Sequence, residues 1–250
     1  VRLDKLLVER GLESSRERAA TRIEAGEVLV SGMVVTRPAS MVDPGADVAL
    51  SGAAMRFVSR GGLKLEQALE AFGIDCTGRV VIDVGASTGG FTDCVLQRGA
   101  SRVFAVDVGY GQLAWKLRTD ARVVVLERAN IRSLDPAAIE QKSTLAVIDC
   151  SFIGLTKVLP ATLRFVAPGA DIVALVKPQF EVGPGHVGKG GVVRDVEARR
   201  AAIDAVREDA ARIGLEVRGG VDCDTHGPNG NVEYLLWLRV PLSGPASPSA

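Results

Sequence analysis

Four ionisable side chains stand where the apolar pattern of the chain breaks. Asp149 follows the run LAVI, Lys177 follows DIVALV and precedes Pro178, Glu233 opens the last apolar run in NVEYLLWLRV, and Lys64 lies in the helical pattern GGLKLEQALEAFG. Lysines and carboxylates that converge beyond the ends of buried strands can hold a substrate group and move a proton. Each also has a plain structural reading, Lys64 as a surface helix lysine and Glu233 as a strand-edge charge. That reading is weakest for Lys177, because a lysine before a proline at the end of an all-apolar strand has few other reasons to be there.

A second cluster is VIDVGASTGGFT, a strand running into a glycine-rich turn that opens a helix. Gly85, Gly89 and Gly90 would let the backbone approach a ligand, and the helix N-terminus would offer free N–H groups. The spacing GxxxGG fits neither the GxGxxG dinucleotide fingerprint nor the GK[ST] ending of a phosphate-binding loop. Asp107 ends the next strand, where a carboxylate would accept hydrogen bonds from ribose hydroxyls; its alternative is to cap its own turn. Asp83 inside the first strand needs a partner if buried, and the amino group of a ligand such as S-adenosylmethionine would serve. Asn130, just past the third strand, is placed to touch an adenine or is a plain loop residue.

These residues must be carried by a sheet. VVIDV, RVFAVD, VVVLE, LAVID and DIVALVK alternate with helix-length segments, the pattern of a parallel sheet covered on both faces. NVEYLLWLRV and Leu215 to Gly219 are expected to complete it as an antiparallel pair. The fold class is therefore α/β and Rossmann-like with seven strands, preceded by a small α+β domain.

Residues 1–55 have their own rhythm. Leu3, Leu6 and Leu7 mark a helix that Gly11 stops, Ser14 with Glu17 forms a capping box for a second helix ending before Gly26, and three short valine-rich pieces form a small sheet. The second helix carries Arg16, Arg18 and Arg22, with Arg2 and Lys5 nearby. A span at 56–61 is expected to link this domain to residues 62–240, and 241–250 reads as a disordered tail.

The 250 residues carry 30 Lys+Arg against 30 Asp+Glu, so any nucleic-acid surface must be local. No apolar run is long enough to span a membrane and no leader opens the chain, so a cytoplasmic protein is expected. The four cysteines form no metal clip or disulfide framework, and His186 and His226 have no ligand partners, so no metal is expected.

RLDKLLVERGLESSRERAATRIEAGEVLVSGMVV resembles the small RNA-binding module named after small-subunit ribosomal protein S-four, which docks on structured RNA. The order Lys64, Asp149, Lys177, Glu233 is similar to the catalytic tetrad of FtsJ-like ribose 2'-O-methyltransferases, and DVGASTGGFT resembles their cofactor loop. With RFVSRGGLKL, DVGYGQLAW, VKPQFE and NVEYLLW, the chain resembles the TlyA family, often labelled hemolysin A. The resemblance implies S-adenosylmethionine-dependent 2'-O-methylation of cytidine in ribosomal RNA. It implies Lys177 as base, flanked by Lys64, Asp149 and Glu233. The cofactor would lie against Asp83, Gly85, Ala86, Ser87, Thr88, Gly89, Gly90, Phe91, Asp107, Asn130 and Asp149. RNA would be met by Arg2, Lys5, Arg16, Arg18, Arg22, Arg128, Arg132 and Lys189. Phe57, in the stretch Met55-Arg56-Phe57-Val58, is expected to couple RNA docking to the cofactor site. The family's shorter members imply a preference for the large ribosomal subunit. The alternatives are a non-catalytic RNA-binding protein and a membrane-active hemolysin.

Overall fold

Leu3, Leu6 and Leu7 are buried on one face of α1 (Leu3–Glu9), and Gly11, at φ +67°, turns the chain after it. The computed structural model describes residues 1–51, 56–188, 190–227 and 230–243, which leaves Met55, Lys189 and the tail beyond 243 outside the described residues. The chain divides into two units, Val1–Arg60 and Gly61–Ala250.

In the first unit, α2 (Arg16–Glu24) is capped by Ser15, whose hydroxyl accepts from the Arg18 backbone N–H. Ser14, expected in that role, lies one residue too early; the N-cap is Ser15, whose extended backbone aims its side chain at the first turn. Strands β1 (Val28–Val30), β2 (Met33–Val34) and β3 (Val48–Leu50) form an antiparallel sheet with β1 in the middle. Leu3, Leu7, Ala19, Ile23, Val28 and Val30 make its core; burying each of the larger side chains contributes about 1.5–3 kcal/mol. Residues 58 and 59 pair with β2, and Phe57 is buried within this unit's span.

The second unit begins with α3 (Gly61–Phe72), followed by β4 (Val80–Val84), α4 (Gly90–Gln97), β5 (Arg102–Val106), α5 (Trp115–Arg118), β6 (Val123–Leu126) and β7 (Ser143–Ile148). Then come α6 (Leu155–Thr162), β8 (Val166–Val176), α7 (Pro178–Glu181), α8 (Val196–Arg212), β9 (Glu216–Asp222) and β10 (Tyr234–Arg239). The sheet order is β6-β5-β4-β7-β8-β10-β9, parallel from β6 to β8, with β10 antiparallel between β8 and β9. Ile82, Val84, Phe104, Val106, Ala146 and Ile148 face α6 and α8. Alternation sends Asp83 to the other face, under α4. Because β5 and β6 lie on one side of β4 and β7 and β8 on the other, the chain reverses its winding beside β4. A crevice therefore opens beyond the carboxyl ends of β4 and β7.

Candidate active site

The crevice is real. A cleft of about 440 Å³ is lined at its base by Val84, Val106 and Asp149, where β4, β5 and β7 end. Gly85, Ser87, Asp107 and Asn130, all expected at a cofactor, also line it.

The rest of the glycine turn does different work. Gly85 has φ +86° and a Cβ there would sit 2.8 Å from the Asp149 carbonyl oxygen; Gly89 has φ +93° and its Cβ would lie within 2.3 Å of Leu117. Both positions are closely packed by the protein itself, so a side chain there would have to displace its neighbours. Ala86, Gly89, Gly90 and Phe91 are buried and, with half-buried Thr88, do not line the cleft. α4 starts at Gly90 and turns Phe91 into the core, while Ala86 lines a smaller neighbouring pocket with Ser87 and Asp107.

Asp83 is fully buried, does not line the cleft, and accepts a hydrogen bond from Thr92 Oγ1 at 2.6 Å through Oδ2, while Oδ1 has no partner. Burial pushes its carboxyl up to about 7; the Thr92 hydrogen bonds oppose this, and the charges of Asp149 and Asp107 add to it. Asp107 both caps its turn and braces the loop. Its Oδ1 accepts from the Gly109 N–H at 2.6 Å and its Oδ2 from the Ser87 N–H at 2.8 Å, and each oxygen can accept a further hydrogen bond. Asn130 likewise caps its own turn, accepting from the Arg132 N–H at 3.0 Å.

The four expected reaction-centre residues form two ion pairs. Lys177 Nζ lies 2.6 Å from Asp149 Oδ1 and donates to Ser151 Oγ at 2.9 Å; the Asp149 contact is an ion pair without hydrogen-bond alignment. Lys64 Nζ lies 2.5 Å from Glu233 Oε2, and both are buried. Lys64 is therefore not a surface lysine, and its charge is matched by Glu233 instead of standing free beside Lys177. The pairs meet through the sheet: Tyr234 faces Val176 across β10 and β8, so Glu233 and Lys177 occupy facing positions just past the end of that ladder.

The cations expected at RNA fare differently. In the first unit, Arg2 and Arg16 both pair with buried Asp4, Lys5 pairs with Glu9, and Arg18 and Arg22 pair with Glu13. The Arg2 hydrogen bonds, with Arg16 beside them, hold the Asp4 carboxyl well below the usual range. Arg128 and Arg132 are exposed on either side of Asn130, with the Arg128 guanidinium 4.3 Å above the Tyr110 ring.

Residues not anticipated from sequence include Ser151, which holds Lys177, and Phe152, which lines the cleft at φ +64° with 89% of its surface exposed. A bulky residue in the left-handed region is held there by its surroundings. Val108, which also lines the cleft, is exposed, as is Tyr110 two residues on. Among the described residues no cluster of His, Cys, Asp or Glu could hold a metal ion, and no helix is long and apolar enough to cross a membrane.

S-adenosylmethionine joins an adenosine to a sulfonium and an ammonium. The cleft offers an apolar slot between Val106, Val108, Ile131 and Val158, a carboxylate at the end of β5, and a second carboxylate, Asp149, at the end of β7. The residues present fit such a cation.

The chain matches the FtsJ-like methyltransferase family over residues 57–240 and the S4 domain over residues 1–48. It is 52% identical over 240 residues to the 16S/23S rRNA (cytidine-2'-O)-methyltransferase TlyA of Mycobacterium tuberculosis, covering 96% of this chain and 90% of that one. It is 37% identical to Hemolysin A of Brachyspira hyodysenteriae, covering 96% of this chain and 100% of the other. A solved structure from Streptococcus thermophilus, provisionally described as a hemolysin, superposes with a TM-score of 0.77 at 41% identity, over 99% of this chain and 90% of that one. The chain belongs to the FtsJ-like methyltransferase family.

Proposed function

We propose that this member of the FtsJ-like methyltransferase family transfers a methyl group from S-adenosylmethionine to the ribose 2'-oxygen of cytidine in ribosomal RNA. The enzyme is an rRNA (cytidine-2'-O)-methyltransferase, the activity named for its relative at 52% identity. The observation that carries this reading is the pairing of Lys177 with Asp149 at the edge of the cleft, beside the buried Lys64–Glu233 pair.

When bound, the cofactor supplies an electrophilic methyl on sulfur; the new O–C bond forms as the S–C bond breaks, leaving a neutral thioether. The protein's part is positioning and proton handling. Lys177 Nζ donates to Ser151 Oγ and is ion-paired with Asp149. It meets the 2'-hydroxyl either as an ammonium that donates to the oxygen while the hydroxyl proton passes to solvent, or as the neutral amine that takes this proton as the oxygen attacks. Lys64 and Glu233 fix the floor beneath this group. Gly85, Ser87, Asp107 and Asn130 hold the nucleoside half of the cofactor, with Asp149 near its cationic end. Exposed Phe152 offers a face on which a nucleobase can stack, and Arg128 and Arg132 offer charge to the phosphates. In the first unit the matched charges of Arg2, Lys5, Arg16, Arg18 and Arg22 favour shape recognition over bulk attraction.

The test incubates the protein with separate small and large ribosomal subunits and tritiated S-adenosylmethionine, then maps 2'-O-methyl groups by reverse-transcription stops. Tritium in cytidine ribose of either rRNA is expected. Its absence from both, or its appearance only on bases, would refute the assignment.

A further inference from the structure

Asn231 is a buried polar residue that the reaction described above does not use. Its exposure is 2%, and both ends of its side-chain amide are engaged. Oδ1 accepts from the Val193 backbone N–H at 2.9 Å, and Nδ2 donates to the Gly191 carbonyl at 2.8 Å. Its backbone is committed too, because its carbonyl accepts from the Gly227 N–H at 3.0 Å. Gly227 lies directly against the Glu233 carboxylate: a Cβ added there would come within 2.9 Å of Glu233 Oε1.

Those contacts join two stretches of chain that matter for different reasons. Gly191 and Val193 belong to the segment that leaves Lys177 through α7. Asn231 and Gly227 belong to the segment that enters Glu233. Lys177 and Glu233 face each other one step past the β8–β10 ladder, and the Glu233 carbonyl still accepts from the Cys223 N–H at 2.9 Å on the β9 side. Toward the segment that leaves Lys177, the tie runs through the two side-chain hydrogen bonds of Asn231.

We infer that Asn231 is a positioning residue for methyl transfer: it locks the chain leaving Lys177 to the chain entering Glu233, and thereby holds the Lys64–Glu233 pair in register with Lys177. The inference rests on the methyl-transfer reading above. It separates two kinds of damage, since none of Gly191, Val193, Gly227, Asn231 or Glu233 lines the cofactor cleft. Loss of Asn231 disturbs the reacting end and leaves cofactor binding alone.

The experiment is a double-mutant cycle between Asn231→Ala and Glu233→Gln, with cofactor affinity measured by calorimetry and turnover measured on ribosomal subunits. In the wild-type background, Asn231→Ala lowers kcat by about tenfold or more, since small misplacements at a reacting centre cost that much, while cofactor Kd stays unchanged. In the Glu233→Gln background it lowers kcat by less than about twofold, because residues that act through one another are not additive. Asn231→Ser, which keeps a neutral hydroxyl able to accept from Val193 or donate to Gly191 without burying a charge, guards against misfolding and shows a smaller loss. Hydrogen exchange gives a readout apart from activity: the Val193 amide loses protection in Asn231→Ala. Equal losses in both backgrounds, a parallel loss of cofactor affinity, or an unaltered kcat would overturn the inference. A wild-type protein that binds cofactor yet methylates neither subunit would instead overturn the functional reading, and the inference with it.

Discussion

Lys64 and Glu233, 169 residues apart in sequence, form a buried ion pair with Nζ 2.5 Å from Oε2. It ties α3 to the segment before β10. Removing one partner strands the other charge where water cannot reach it, which costs about 3–5 kcal/mol, whereas replacing both with apolar groups of similar volume is far milder. Urea titrations of Glu233→Ala should show a fall in stability of that order, and the double variant Lys64→Met/Glu233→Leu a much smaller one. A single variant as stable as wild type would mean that the pair is not held as described.

Lys177 is expected to matter for turnover and not for cofactor binding, since Val176 and Lys177 do not line the cleft while Asp149 and Ser151 do. Lys177→Met should reduce methyl transfer by a factor on the order of 10² to 10⁴, with the circular dichroism spectrum and cofactor Kd retained. Near wild-type turnover in a folded Lys177→Met protein would remove Lys177 from the reaction.

Asp107 shows why some of the site was legible in the sequence and some was not. Carboxylates and lysines at strand ends can be read from an apolar run that stops, and that signal located Asp107, Asp149 and Lys177. Asp83 and Phe91 sit in equally suggestive positions, yet strand alternation turns one under α4 and the helix start turns the other into the core. Which face a residue takes depends on the neighbouring layer. The arginines of α2 looked available to RNA because Glu13 and Asp4, the carboxylates that pair with them, reach them only once the helices pack. Ser151 and Phe152 carried no pattern of their own; a polar residue two positions past a strand-end carboxylate is the signal that could have found Ser151.

For Asp107 itself, the expected result of Asp107→Ala is a loss of cofactor affinity of about 1.5–3 kcal/mol, the range for hydrogen bonds to a charged acceptor. The same substitution frees the Ser87 and Gly109 amides, so faster hydrogen exchange at these two positions should accompany it. Unchanged calorimetric affinity would place the ribose elsewhere.

Asp83 should leave a pH signature in stability. In the unfolded chain its carboxyl titrates near 3.8, and in the folded protein burial raises it to about 7. Between those values the folded state binds a proton that the unfolded state has lost, so this group makes stability fall as pH rises from about 4 to about 7 and adds no further slope above. Asp83→Asn cannot titrate and is free of that slope, whatever fixed penalty its amide incurs in the same buried position. Subtracting the variant's unfolding free energy from that of wild type at a series of pH values isolates the contribution, because the other groups cancel. The difference should decline across the window and level off near pH 7. A difference that stays flat from pH 4 to 8 would mean that Asp83 is ionised in the folded protein and that Oδ1, without a partner in this structure, has found one.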